Sequence, residues 1–164
     1  NWKITMIDTG EHSLTATRLR KIKKFIKEDV FCMTYGDGLS DVNIKELINR
    51  HELEGKLATV TAVKPPGRFG SLVMKGNSIT DFTEKPGGDG SYVNGGFFVL
   101  NKKVFHYIPT DKDVYWEQDP LNNLARDNQL NAYKHDGFWR PMDTLRDKIV
   151  LEEYWKEGQP WIKG

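Results

Sequence analysis

The chain has 164 residues, 38% of them hydrophobic and 12% aromatic, which is enough for a single domain over 1–164 with its own core. Twenty-four Lys and Arg against twenty-three Asp and Glu leave a net charge of +1. Without a concentrated positive surface, neither a nucleic acid polymer nor an anionic membrane is a favoured partner. No apolar stretch is long enough to span a bilayer and no signal-peptide pattern is present, so a soluble cytoplasmic protein is expected.

The predicted elements begin with a strand over 4–7 and a turn at Asp8-Thr9-Gly10. Leu19, Ile22 and Ile26 recur at i, i+3 and i+7 and predict a helix over 15–26, whose basic run from Arg18 to Lys24 reads as a solvated face. Residues 31–35 form a short buried-strand run ended by Gly36-Asp37-Gly38. The only cysteine, Cys32, lies in Val30-Phe31-Cys32-Met33, excludes an internal disulfide and is expected to be a buried, inert thiol. Asp41 is expected to cap a helix carrying Ile44, Leu47, Ile48 and His51 on one face and stopped by Gly55. Residues 57–63 are rich in β-branched side chains and predict the next strand. This β-α-β-α-β order argues for a parallel α/β arrangement. Strands over 71–74 and 78–83 flank Lys75-Gly76-Asn77, a hairpin signal. A loop at 86–90 leads to a strand over 92–100 interrupted by Gly95-Gly96. Two short helical stretches near 101–108 and 118–127, a strand over 130–133 and a helix over 144–155 complete the chain. There is no internal repeat, low-complexity tract or linker.

Several residues could carry chemistry. Asp37 stands at the carboxyl end of a strand, where ligands collect in open α/β sheets. Its flanking glycines, Gly36 and Gly38, would let a polyphosphate approach the backbone. A single carboxylate there suits Mg²⁺, which keeps most of its waters, and the same tripeptide equally reads as a simple turn. Asp143 precedes the last helix, as a metal ligand or as an N-cap, and spacing alone does not bring it to Asp37. Glu84 and Lys85, at a strand end closed by Pro86, could accept from sugar hydroxyls and hold a phosphate, or form an exposed ion pair. Asn94 beside Gly95-Gly96 offers a donor and an acceptor at a bulge, which could be purely structural. Pro65 to Gly70 is a stiff loop on the same side of the sheet. Trp139 could stack on a sugar ring or simply pack. No histidine has metal-ligand spacing, and there is no Ser-His-Asp signature, GxGxxG or P-loop.

In order, Ile7-Asp8-Thr9-Gly10, Thr34-Tyr35-Gly36-Asp37-Gly38, Pro65-Pro66-Gly67-Arg68-Phe69-Gly70, Phe82-Thr83-Glu84-Lys85-Pro86, Val93-Asn94-Gly95-Gly96-Phe97-Phe98-Val99-Leu100, Trp116-Glu117-Gln118-Asp119-Pro120-Leu121 and Gly137-Phe138-Trp139-Arg140-Pro141-Met142-Asp143-Thr144-Leu145-Arg146-Asp147 resemble the sugar-1-phosphate nucleotidyltransferases. The resemblance is nearest to the branch that transfers a cytidylyl group to glucose 1-phosphate. It implies a nucleotide-diphospho-sugar transferase-like (Rossmann-like) α/β fold, a mixed sheet flanked by helices. It implies CTP and glucose 1-phosphate as substrates, CDP-glucose and pyrophosphate as products, and Mg²⁺ as cofactor. By the same resemblance Asp37 and Asp143 are the Mg²⁺ ligands, and Lys85 clamps the sugar phosphate and completes the catalytic set. Glu84 meets the glucose hydroxyls, Asn94 and Gly95 contact the sugar with Gly70 and Trp139 beside them, and Ser13, Arg18 and Gly36 stand at the nucleotide.

The family also carries a strand, a Gly-rich phosphate-binding loop and a Lys-Pro segment ahead of the first of these motifs, and Ala16-Thr17 stand where it has two glycines. The expectation is therefore an N-terminally truncated form of the domain with poor triphosphate binding and low turnover, stabilised as a homo-oligomer or by a complementing N-terminal portion. The rival reading is a non-catalytic remnant that binds a ligand or oligomerises.

Overall fold

The computed structural model describes residues 2–65, 71–83 and 91–162, so the predicted loops holding Gly70, Glu84 and Lys85 lie outside the described residues. In chain order come α1 (Thr15–Ile22) and its 3-10 extension (Lys23–Phe25), β1 (Val30–Thr34), β2 (Gly38–Ser40), α2 (Ile44–Glu54) and β3 (Ala58–Val63). The hairpin β4 (Ser71–Lys75) and β5 (Ser78–Thr83) is followed by β6 (Val93–Asn101), a 3-10 stretch (Lys102–Tyr107), α3 (Asp119–Arg126), β7 (Leu130–His135), β8 (Trp139–Pro141) and α4 (Leu145–Glu157). This is an α/β fold with a mixed sheet in the order β1-β6-β3-β7, flanked by helices. Two antiparallel pairs, β2-β8 and β4-β5, accompany it. No helix among the described residues is long and apolar enough to cross a membrane.

Burial follows position in that order. The inner strands are β6 and β3; β3 and the 97–100 part of β6 read as continuous apolar or β-branched runs and are largely buried, with Phe98, Val99 and Leu100 at or below 1% exposure. Each such side chain contributes about 1.5–3 kcal/mol on burial. The outer strands β1 and β7 are covered only in part.

The chain forms two compact units. The first comprises Asn1–Met33, Ile48–Thr59 and Phe98–Asn131, and the second Thr34–Leu47, Val60–Phe97 and Ala132–Gly164. In the first, Trp116 is fully buried and meets Phe98 edge-on at 6.2 Å. Leu14, at the N-cap of α1, has no side chain that could cap it. Asp113 does so from 99 residues away, accepting the Leu14 amide at 3.1 Å, and hydrogen bonding from Thr17 and this amide holds its carboxyl below the usual range. In the second unit, Thr144 caps α4 in a capping box with Asp147. Phe138 packs on Tyr154 and Trp161 at 5.2 and 5.7 Å, tying the chain before β8 to α4 and its end.

Four expectations are corrected. Residues 4–7 form no strand, and Ile4 and Met6 are 73% and 92% exposed. An apolar β-branched run becomes a strand only when another strand takes up its backbone groups. The helix predicted to residue 26 is α-helical only to Ile22. Asp41 does not cap α2. Asn43 does, accepting the Glu46 amide at 3.1 Å, while Asp41 pairs with His135. Cys32 is exposed, because β1 ends the sheet order, although the burial it retains pushes its thiol above the ordinary value.

His51 is 3% exposed and its Nδ1 lies 2.9 Å from Thr59 Oγ1. Burial lowers its pKa from the ordinary 6.5, with Glu52 opposing in part. Below 6.5 the unfolded chain therefore binds a proton that the folded chain refuses, and stability is lost as pH falls through that value. Melting temperature should drop between pH 7.5 and pH 5.5, and His51→Gln should flatten the drop. An unchanged slope in the variant would place the proton uptake elsewhere.

Gly96 has φ +79°, and a Cβ there would lie 2.9 Å from Tyr35 Cδ2. Gly96→Ala combines a disfavoured backbone with a clash and should cost about 2 kcal/mol or more in urea unfolding. A loss within a few tenths of a kcal/mol would show that the Tyr35 ring yields freely.

Candidate active site

Everything in this site belongs to the second unit. Its frame is the β2-β8 ribbon, with Gly38 opposite Pro141, Leu39 opposite Arg140 and Ser40 opposite Trp139. The pairing continues one step outward, where the Met142 amide donates to the Asp37 carbonyl at 2.8 Å. Asp37 and Asp143 therefore leave the same end of one ribbon. Both line a cavity of about 660 Å³, a volume ordinary for a small-molecule site. Because Thr144 supplies the cap of α4, Asp143 is not spent on that task.

The other end of the ribbon is pinned beneath the surface. His135 Nε2 stands 2.9 Å from Asp41 Oδ1 and 3.3 Å from both Ser40 Oγ and the Phe138 carbonyl. Ser40 Oγ donates to the same carbonyl at 2.8 Å, and so does the Asp41 amide at 3.1 Å. Oxygens of Asp41, Ser40 and Phe138 thus surround one ring nitrogen. Asp and Ser share that nitrogen, so this is a structural clasp and not a nucleophile relay, which would place them on opposite ring nitrogens.

The cavity wall comes from the start of β6. Trp139 Nε1 donates to the Gly95 carbonyl at 2.8 Å, and the Tyr35 amide donates to the Gly96 carbonyl at 3.2 Å. Asn94 Oδ1 accepts the Gly96 amide at 2.9 Å, and its Nδ2 donates to Tyr35 Oη at 3.4 Å. A Cβ on Gly95 would lie 2.9 Å from the Thr61 carbonyl oxygen, so the glycine allows β6 to lie close against β3. Asn94 is thus oriented by two bonds, and keeps one N–H and one oxygen lone pair for a ligand.

The structure places Asp37, Asn94, Gly95, Trp139 and Asp143 around one cavity. Gly36 flanks Asp37 without lining the cavity, and a Cβ on it would meet nothing within 4 Å. Ser13 and Arg18 are in the first unit, bound there to Thr9 and Glu11. Tyr35, Arg140 and Arg146 line the cavity as well, although nothing in the composition of their motifs had marked them for a role. Among the described residues no group of three or more His, Cys, Asp or Glu converges on a metal position. Two carboxylates without a third ligand fit a hard divalent cation that takes its remaining oxygens from water and phosphate.

The nucleotidyl transferase family matches residues 1–156. Glucose-1-phosphate cytidylyltransferase of Salmonella typhimurium (strain LT2) is 49% identical over 162 residues, which are 98% of this chain and 63% of that protein. The probable glucose-1-phosphate cytidylyltransferase of Bacillus subtilis (strain 168) is 42% identical over 158 residues, 96% of this chain and 62% of that protein. The chain thus spans a little under two thirds of the length of these curated relatives. The crystal structure of a glucose-1-phosphate thymidylyltransferase assigned in Bacillus anthracis, in complex with a sucrose, matches with a TM-score of 0.67 at 20% identity, over 94% of this chain and 65% of that one. That likeness speaks for the fold, and the match over 156 of 164 residues for the family. The chain belongs to the nucleotidyl transferases.

Proposed function

We propose that the chain serves the transfer of a cytidylyl group from CTP to α-D-glucose 1-phosphate, giving CDP-glucose and pyrophosphate. The observation that carries this reading is the joining of Asp37 and Asp143 at one ribbon end, in the same cavity as Asn94, Gly95 and Trp139. Identity of 49% to a relative bearing that name supports the choice of base and sugar. In the reaction an ionised oxygen of glucose 1-phosphate attacks the α-phosphorus of CTP. A new P–O bond forms, the bond to the β-phosphate oxygen breaks, and pyrophosphate departs with the electron pair. The attacking oxygen needs no general base, so the chain's own residues bind, orient and neutralise.

Asp37 and Asp143 would hold Mg²⁺, which when bound neutralises phosphate charge. Asn94, fixed by Tyr35 and by its own turn, orients the sugar, and the Trp139 indole covers it. Lys85 is proposed for the sugar phosphate and Glu84 for the glucose hydroxyls. Ser13, Arg18 and Gly36 are proposed for the nucleotide, and Gly70 for the sugar.

Pyrophosphate release from CTP and glucose 1-phosphate reads the transfer, and calorimetry reads each ligand. With Mg²⁺ present, glucose 1-phosphate should bind saturably and at least about tenfold more weakly to Lys85→Ala, as expected for loss of a charged hydrogen bond. Asp37→Asn together with Asp143→Asn should abolish the dependence of ligand binding on Mg²⁺. Affinity indifferent to Lys85 and to both aspartates would remove this reading of the cavity.

A further inference from the structure

Two arginines among the described residues line the cavity, and only one of them is engaged by the fold. Arg140, on β8, has its guanidinium carbon 5.8 Å from the centre of the Tyr154 ring, a stacking contact. Arg146, in the first turn of α4, lines the cavity with an exposed side chain and has no ion pair or hydrogen bond among the described residues. The helix itself explains why. Lys148, two residues on, pairs with Glu152 at i+4 at 2.8 Å, whereas the i+4 neighbour of Arg146 is Val150, which also lines the cavity. The nearest acid along the helix, Asp147, is taken up by the Thr144 amide and hydroxyl at 3.0 and 2.8 Å. Arg146 therefore faces the same space as Asp37 and Asp143 with its donors unspent.

A guanidinium kept without an acid partner at the wall of a site suits an anion brought from solution. Its planar fork matches two oxygens of a phosphate at once, which an ammonium cannot do. We propose that Arg146 is a substrate-binding residue that grips a phosphate group of the ligand held beside Asp37 and Asp143. This rests on the reading of the cavity as a nucleotidyl-transfer site and extends it to a residue with no part in that reading so far. The phosphate can come from the sugar 1-phosphate or from the nucleoside triphosphate, and both present the same oxygens to the fork.

Glucose 1-phosphate and CTP are titrated separately, by calorimetry at fixed Mg²⁺, into the wild type, Arg146→Ala, Arg146→Lys and the surface control Lys148→Ala. In the arm whose phosphate Arg146 holds, Arg146→Ala should weaken binding about tenfold to a hundredfold, the range for a charged hydrogen bond. Arg146→Lys should recover only part of that, and Lys148→Ala should stay within about twofold, as a surface ion pair predicts. A loss confined to glucose 1-phosphate assigns Arg146 to the phosphate monoester, and a loss confined to CTP assigns it to the triphosphate. Unchanged affinity in both arms for Arg146→Ala, with the wild type binding normally, overturns the role of Arg146 and leaves the transfer reading standing. Tighter Mg²⁺ binding with unchanged phosphate binding also overturns it, since Arg146 would then only neutralise the two aspartates. A wild type that binds neither ligand overturns both readings.

Discussion

The pairing of β2 with β8 fixes the geometry of everything else in the cavity. Each strand has three residues, and so short a ribbon has little stability of its own. It is held from outside, by the Asp41–His135 clasp at one end and the Met142-to-Asp37 hydrogen bond at the other. Side chains alternate across a ribbon, so a slip of one residue would break the register that sets Asp37 and Asp143 on one cavity. The clasp near His135 is thus a positional device for two carboxylates it does not touch.

The wall opposite is built by close approach. Gly95 lets β6 lie against the Thr61 carbonyl, and Gly96 adopts a backbone conformation that leaves room for the Tyr35 ring. Tyr35 in turn meets Asn94, and Trp139 holds the Gly95 carbonyl. The two glycines thereby sit among three polar or aromatic side chains, Tyr35, Asn94 and Trp139.

Much of this was legible in the sequence, for physical reasons that differ from element to element. The inner strand β3 and the 97–100 part of β6 announce themselves because burial on both faces demands uninterrupted apolar and β-branched runs. The helix α4 shows its cap, although Thr144 and not Asp143 provides it. The ribbon β2-β8 was invisible: three residues carry no period, and its partners lie about a hundred positions apart. Asn43 was passed over for Asp41 because both are good caps, and only the partner His135, far along the chain, decides between them. Asp37 and Asp143 stood out by their motifs, but their placement on one cavity depends on that unseen ribbon. Arg146 lay inside a recognised motif without a signal of its own, since what distinguishes it is that Val150, and not an acid, stands at i+4.

Cys32 carries a consequence for the covalent chemistry of the molecule. It is the only cysteine, it is exposed, and its thiol is pushed above the ordinary value, so little thiolate is present at neutral pH. Alkylation there is slow near pH 7, speeds up with rising pH and stops at one adduct per chain. Oxidation can join two copies through this position and then has no further sulfur to recruit. A non-reducing gel of the oxidised protein therefore shows a ladder of two rungs, whatever larger assembly forms without covalent bonds.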